Sequence, residues 1–149
     1  MSRLTLLPAL DTDLLARCLQ VRRAVFVLEK GVPESLEVDD SDRLGTSCLH
    51  FLIQVDGADA GALRCQSDGS SAVRIQRLCM KARYRGGGWG KAALAEVERH
   101  CLANGADRIV LDAKFDVCGF YEACGYRRVS SVFLEANVPH VRMEKALTI

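Results

Sequence analysis

The sequence predicts a single mixed α/β domain spanning residues 1–149. Three observations carry this. Short apolar runs are separated by turn signals such as Asp56-Gly57. Two segments repeat their apolar residues at helical spacing. A cluster of glycines opens the second of these, between runs that read as strands, so one β-α-β unit sits among hairpins.

Residues 3–7 read as a first strand, and Asp11 or Thr12 can cap the helix that follows. Leu14, Cys18, Val21 and Val25 form one face of that helix, which should fade between Val27 and Gly31. An acid-rich loop comes next, with Glu34, Glu37, Asp39, Asp40 and Asp42. Strands are expected over Cys48–Val55 and Ala60–Gln66, joined by Asp56-Gly57-Ala58-Asp59. The strand Ala72–Met80 starts with Val73 and Ile75 on one face, then slips in phase so that Leu78 and Met80 continue the pattern. That slip predicts a β-bulge near Gln76-Arg77. Gly90, Leu94, Val97 and Cys101 mark a second helix, stopped by Asn104-Gly105. Arg108–Ala113 reads as a buried strand, Asp116–Ala123 as a short helix, and Tyr126–Phe133 and His140–Ala146 as closing strands with Asn137-Val138-Pro139 between them.

Composition narrows the function. Hydrophobic residues make up 49% and charged residues 26%, and the net charge is +1, so nothing points to nucleic acid or an anionic membrane. The apolar start is broken at Pro8 and Asp11, too early for a signal peptide or a membrane span. The seven cysteines are odd in number and never spaced C-x-x-C, which argues against a metal site or a disulfide framework and for a reducing cytoplasm.

The most informative stretch is Arg85-Gly86-Gly87-Gly88-Trp89-Gly90-Lys91. A glycine-rich helix start offers backbone N–H groups and the positive dipole end to an anion, and phosphate or pyrophosphate is the natural guest. The P-loop pattern fails, because Arg85 stands where its first glycine belongs and Ala92 replaces its hydroxyl. Gly88, Gly90 and Ala93 fit a dinucleotide fingerprint, with Asp112 as a ribose partner, but the polar stretch Lys81–Arg85 separates them from the preceding strand. A dinucleotide-binding oxidoreductase therefore stands as an alternative.

Arg85-Gly86-Gly87-Gly88-Trp89-Gly90 also matches the [QR]-x-x-G-x-[GA] acyl-CoA loop of the GNAT N-acetyltransferase family. Val73–Met80 resembles that family's bulged strand, and Phe120-Tyr121-Glu122-Ala123-Cys124-Gly125-Tyr126 its F-Y-E-x-x-G-[FY] segment. Arg22–Glu29 with Val32-Pro33, Glu37, Asp39, Asp42 and His50, and the late Val138-Pro139-His140-Val141-Arg142-Met143, are similar to the branch that includes the ElaA and YjcF proteins. The resemblance covers Leu4 to Leu147. It implies a central, largely antiparallel, twisted sheet flanked by helices, with a bulged strand splayed at the acyl-CoA site.

It further implies transfer of an acetyl group from acetyl-CoA, without a metal, to the primary amine of a small molecule or peptide, by direct attack in a ternary complex. A homodimer is compatible with this. Gly86, Gly87, Gly88, Trp89, Gly90, Arg85 and Lys91 would hold the cofactor phosphates, and backbone groups of Leu78, Cys79 and Met80 its pantetheine arm. The Leu78 N–H would polarise the thioester carbonyl. Tyr121 would be the general acid beside the sulfur. Lys114 occupies a position where many members carry an amide, and either reaches a CoA phosphate or points to solvent. Trp89 is expected to anchor its helix, and Cys118 to pack.

The base is open. Glu37 is taken as the catalytic carboxylate of the acidic loop, which would attract a cationic amine. Glu29, Asp39, Asp42, His50, His140 and a water relay are alternatives, and the ordinary fate of such a loop is solvation. Arg22 and Arg23 either meet an anionic substrate or form a polar helix face, and His100 is expected on a solvated face. A non-catalytic acyl-CoA sensor, with Tyr121 structural, is a further alternative.

Overall fold

The computed structural model describes residues 1–67 and 69–148. Among them, eight strands form one sheet in the order Leu4–Pro8 (β1), Cys48–Val55 (β2), Ala58–Ser67 (β3), Ala72–Met80 (β4), Arg108–Lys114 (β5), Val138–Ala146 (β8) and Arg127–Arg128 (β6), with Phe133–Glu135 (β7) also on β8. Every pairing is antiparallel except β4 with β5.

β1 (Leu4–Pro8) leads into α1 (Thr12–Arg22), whose N-cap Asp11 accepts the Leu14 N–H. The helical segment runs past Arg22 and ends at Glu29, within the expected span. It continues from Arg23 to Glu29 as a π-helix, closed by bonds such as Lys30 N–H to the Val25 carbonyl. Such wide turns are uncommon and concentrate at functional sites. The acid-rich loop contains one helical turn, α2 (Glu34–Glu37).

β2 (Cys48–Val55) and β3 (Ala58–Ser67) meet at a two-residue turn, with Asp56 and Gly57 both left-handed. β3 therefore starts two residues earlier than the sequence suggests. β4 (Ala72–Met80) carries the expected bulge. Arg64 pairs with Gln76 and Ala62 with Cys79, so β4 has one residue more than β3 between these pairs. Arg77 sits there with φ 58°. The slip lets Ile75 and Met80 share a face despite their odd spacing. β3 stays close at this point because residue 61 is glycine. A Cβ there would lie 2.5 Å from the Cys79 carbonyl oxygen.

α3 (Trp89–Ala103) returns to β5 (Arg108–Lys114), and α4 (Cys118–Ala123) follows. The tail departs from the sequence reading. The strand expected over 126–133 is reduced to β6 (Arg127–Arg128) and β7 (Phe133–Glu135). Tyr126 is drawn into the core and donates to Glu98, and the Ser130 hydroxyl accepts the Arg142 N–H in place of a backbone carbonyl. The last turn is Ala136-Asn137, both left-handed, so β8 (Val138–Ala146) begins before Pro139.

Both faces of the sheet are covered. Phe51, Ile53, Leu63 and Ile75 pack with Leu94 and Val97 of α3, while Leu52, Ala62 and Cys79 pack with Cys18 and Val21 of α1. The cysteines are unpaired and six of them are buried, where a thiol acts as a small hydrophobe. Among the described residues, no helix is long and apolar enough to cross a membrane.

Candidate active site

The parallel pairing of β4 with β5 ends at Arg74 and Val110. Beyond it the two strands enclose a cleft of about 770 Å³, lined by Ile75–Met80 of β4 and Leu111–Lys114 of β5. The start of α3, the π-helical residues Val25 and Phe26, Tyr121 of α4, and Glu135 and His140 of the last hairpin complete it. The bulge gives β4 an irregular edge at the centre of the cleft. Arg77 and Leu78 have no register partner on β3, and residues past Arg74 have none on β5. Their backbone groups are available to an extended ligand.

The glycine loop lies at one end. Gly86 and Gly88 have φ near 81° and 84°, and Gly88 is the N-cap of α3 without a side-chain capping bond. The first N–H groups of the helix therefore lack an acceptor within it and face the cleft mouth with the positive dipole end. Lys91 adds a cation. Trp89 is half-buried against the core, which fits an anchoring role. Arg85 bridges elements: its Nε donates to the Met80 carbonyl (2.9 Å) and its guanidinium pairs with Glu29 at the end of the π-helix (2.6 and 2.8 Å).

Tyr121 is set by α4, which ends in paired bonds from Gly125 N–H to the Glu122 carbonyl and from Tyr126 N–H to the Tyr121 carbonyl. That ending needs a left-handed residue, and Gly125 supplies it with φ 94°. The ring packs edge-on to Phe120 and Tyr126, at 5.1 and 5.8 Å between centroids. Burial pushes the Tyr121 phenol up to about 12, so it remains a proton donor at neutral pH. Cys118 is fully buried, with its thiol directed at the Lys114 carbonyl (3.6 Å), as its packing role requires. Burial holds the Cys79 thiol at about 12 and unreactive. Lys114 is exposed at the rim.

The acidic loop is solvated only in part: Glu34, Asp39 and Asp40 are exposed, whereas Glu37 and Asp42 are buried. Arg22 is fully buried and donates to Glu37 Oε1 (2.8 Å), to both Asp42 oxygens (2.6 and 3.1 Å) and to the Glu37 carbonyl (2.9 Å). Arg64 ties Asp39 and Asp42 to Gln76 of β4, and Arg77 donates to the Glu37 carbonyl (3.2 Å). Burial alone would raise the Asp42 carboxyl, but bonds from Arg22 and the Asp39 N–H, with the charges of Arg22 and Arg64, hold it at about 2. Glu37 thus sits outside the cleft lining, as an anchor for Arg22. Arg22 is buried outside the cleft lining rather than on a polar face, whereas Arg23 is exposed and pairs with Glu34. His50 is buried with Nε2 on the Ser41 carbonyl, and burial lowers its pKa. His100 is half-buried, edge-on to Phe51 at 4.9 Å.

Two features were not legible in the sequence. Asp112 accepts from Arg74 (3.1 Å) and Arg142 (2.9 Å), which takes up the carboxylate that a dinucleotide ribose would require. Among the described residues the sheet also has a single parallel pair, which is not the doubly wound dinucleotide arrangement. The other feature is the close approach of Glu135 and His140, brought about by a hairpin whose turn the sequence misplaces.

Residues 35–147 match the family model of the acetyltransferase (GNAT) domain. The Bacillus subtilis protein YjcF, named an uncharacterized N-acetyltransferase, is 32% identical over 127 residues, which cover 84% of this chain and 87% of that protein. The crystal structure of Escherichia coli ElaA is 27% identical, covering 97% of this chain and 99% of that one with a TM-score of 0.82. An acyl-CoA N-acyltransferase structure from Pseudomonas aeruginosa is 26% identical, covering 98% and 100% with a TM-score of 0.82.

Proposed function

Since this chain belongs to the GNAT acetyltransferase family, we propose that it moves an acetyl group from acetyl-CoA to the primary amine of a small molecule or peptide, by direct attack within a ternary complex. The observation that carries this is the single cleft joining an anion-binding helix start, an unpaired bulged strand edge and a protonated tyrosine.

In this reading the N–H groups at the start of α3 bind the pyrophosphate, with Lys91 nearby. Backbone groups of Leu78, Cys79 and Met80 pair with the pantetheine arm as an added strand would. The Leu78 N–H stabilises the oxyanion of the tetrahedral intermediate, a contribution of about 3 kcal/mol to the barrier for donors of this kind. The amine nitrogen forms a bond to the thioester carbon, the C–S bond breaks, and Tyr121 protonates the leaving sulfur. Arg85 acts indirectly, fixing the Met80 carbonyl and the end of the π-helix. No nucleophilic side chain is needed.

Tyr121→Phe tests the assignment. The variant keeps the ring and its packing but cannot donate. Its kcat for thiol release from acetyl-CoA in the presence of an amine should fall by about 10²-fold or more. Its acetyl-CoA Kd, measured calorimetrically, should stay within about twofold of the wild type, because the phenol acts on charge that develops only in the transition state. Unchanged turnover would remove Tyr121 from the mechanism, whereas a wild type that binds acetyl-CoA without turning it over would favour the sensor reading.

A further inference from the structure

Acetyl transfer to an amine that arrives as an ammonium needs a proton acceptor in the cleft. Most candidates are already committed elsewhere. Glu29 is held by Arg85, Glu37 and Asp42 by Arg22, and Asp39 by Arg64. His50 is buried beneath Ser41. His140 differs from all of these, because it lines the same cleft as Tyr121.

Its surroundings define its chemistry. The Val138 carbonyl lies 2.7 Å from Nδ1. A carbonyl only accepts, so Nδ1 carries the proton and Nε2 of the neutral ring holds a lone pair. Glu135 Oε2 lies 3.4 Å from that Nε2. A carboxylate there has nothing to donate to that lone pair, and it can accept from Nε2 once that atom carries a proton. The Phe133 ring stacks on the imidazole at 6.1 Å and 25°, which fixes its plane. His140 itself is 8% exposed, whereas the Glu135 side chain is 58% exposed and can meet an incoming cation.

We infer that His140 is the base that deprotonates the acceptor amine, and that Glu135 positions the ammonium and stabilises the imidazolium that results. This rests on the acetyltransferase reading above. One proton passes from the ammonium to His140 Nε2. The freed nitrogen lone pair forms the C–N bond, the tetrahedral oxyanion collapses with loss of the C–S bond, and sulfur takes the Tyr121 proton. The second amine proton restores the phenol, and His140 returns its own to solvent. The products are the amide, CoA thiol and one proton. The favoured acceptor is thus an amine that is cationic at neutral pH.

The test is His140→Asn, whose amide N–H can still donate to the Val138 carbonyl while Nε2 is lost. Two probe acceptors are compared with acetyl-CoA: benzylamine, protonated at neutral pH, and methoxyamine, which is neutral there. Melting temperature and acetyl-CoA Kd should match the wild type. For benzylamine, kcat/KM should fall by about 10²-fold or more, and for methoxyamine by less than roughly fivefold. The charged groups carried towards His140 are Glu135 on β7, Asp112 and Lys114 on β5, Asp116 in the turn packed on β8, and Arg142 on its own strand. Equal losses with both amines, or no loss with either, would overturn the assignment alone. A wild type that binds acetyl-CoA but acetylates neither amine would overturn the acetyltransferase reading together with the base.

Discussion

Gly88→Asp should abolish measurable acetyl-CoA binding while the protein stays folded. Gly88 caps α3 in the left-handed conformation, at φ 84°, and nothing lies within 4 Å of where its Cβ would be. Aspartate tolerates that conformation better than most residues, so the fold survives at a modest cost. The effect on the ligand is electrostatic. A carboxylate about 5 Å from a bound phosphate, at an effective dielectric near 20, costs about 3 kcal/mol, or more than a hundredfold in Kd. Gly88→Asn separates charge from shape, since it fills the same space without the charge. It should retain most of the affinity that the aspartate variant loses. Calorimetry on both variants, with a melting curve for each, decides the matter. Full affinity in Gly88→Asp would place the phosphates somewhere other than the start of α3.

The largest stability effect is expected at Arg22. Its guanidinium is fully buried between Glu37 and Asp42, and its removal leaves two buried carboxylates without their shared partner. Breaking a buried pair from one side costs about 3–5 kcal/mol, a large share of the 5–15 kcal/mol that holds a domain together. Arg22→Met should therefore move the urea midpoint far down or prevent folding. The neighbouring pair supplies the control. Arg23 and Glu34 are 2.7 Å apart but 51% and 58% exposed, so Arg23→Met should cost less than about 1 kcal/mol. Asp42 remains charged well into acid. Asp42 is held near 2, so its stabilising charge is present above the ordinary carboxylate pKa and is lost only as pH falls towards 2. Equal effects at the two arginines would contradict the buried network.

Local chemistry explains what the sequence revealed. The bulge in β4 was visible because a period of two cannot slip without an extra residue, and Val73, Ile75, Leu78 and Met80 record that slip. The helix start at Gly88 was visible because glycine at that density serves backbone geometry, and Leu94, Val97 and Cys101 mark the helix behind it. The acidic loop misled because burial is not written in composition. Glu37 and Asp42 look solvated until Arg22, distant in sequence, is folded against them. The last hairpin misled because a proline suggests a turn, whereas its turn residues are Ala136 and Asn137, with left-handed backbones, and Pro139 lies within β8. That shift matters, since it places Glu135 beside His140. The π-helical stretch left no sequence signal, yet it contributes Val25 and Phe26 to the cleft.

The most direct test of the central claim is calorimetric titration of the folded wild-type protein with acetyl-CoA and, separately, with NAD. The account predicts micromolar binding of one acetyl-CoA per chain and no heat with NAD at millimolar concentration. Absence of acetyl-CoA binding by the folded protein, or saturable binding of NAD in its place, would contradict it and return the glycine loop to a dinucleotide role.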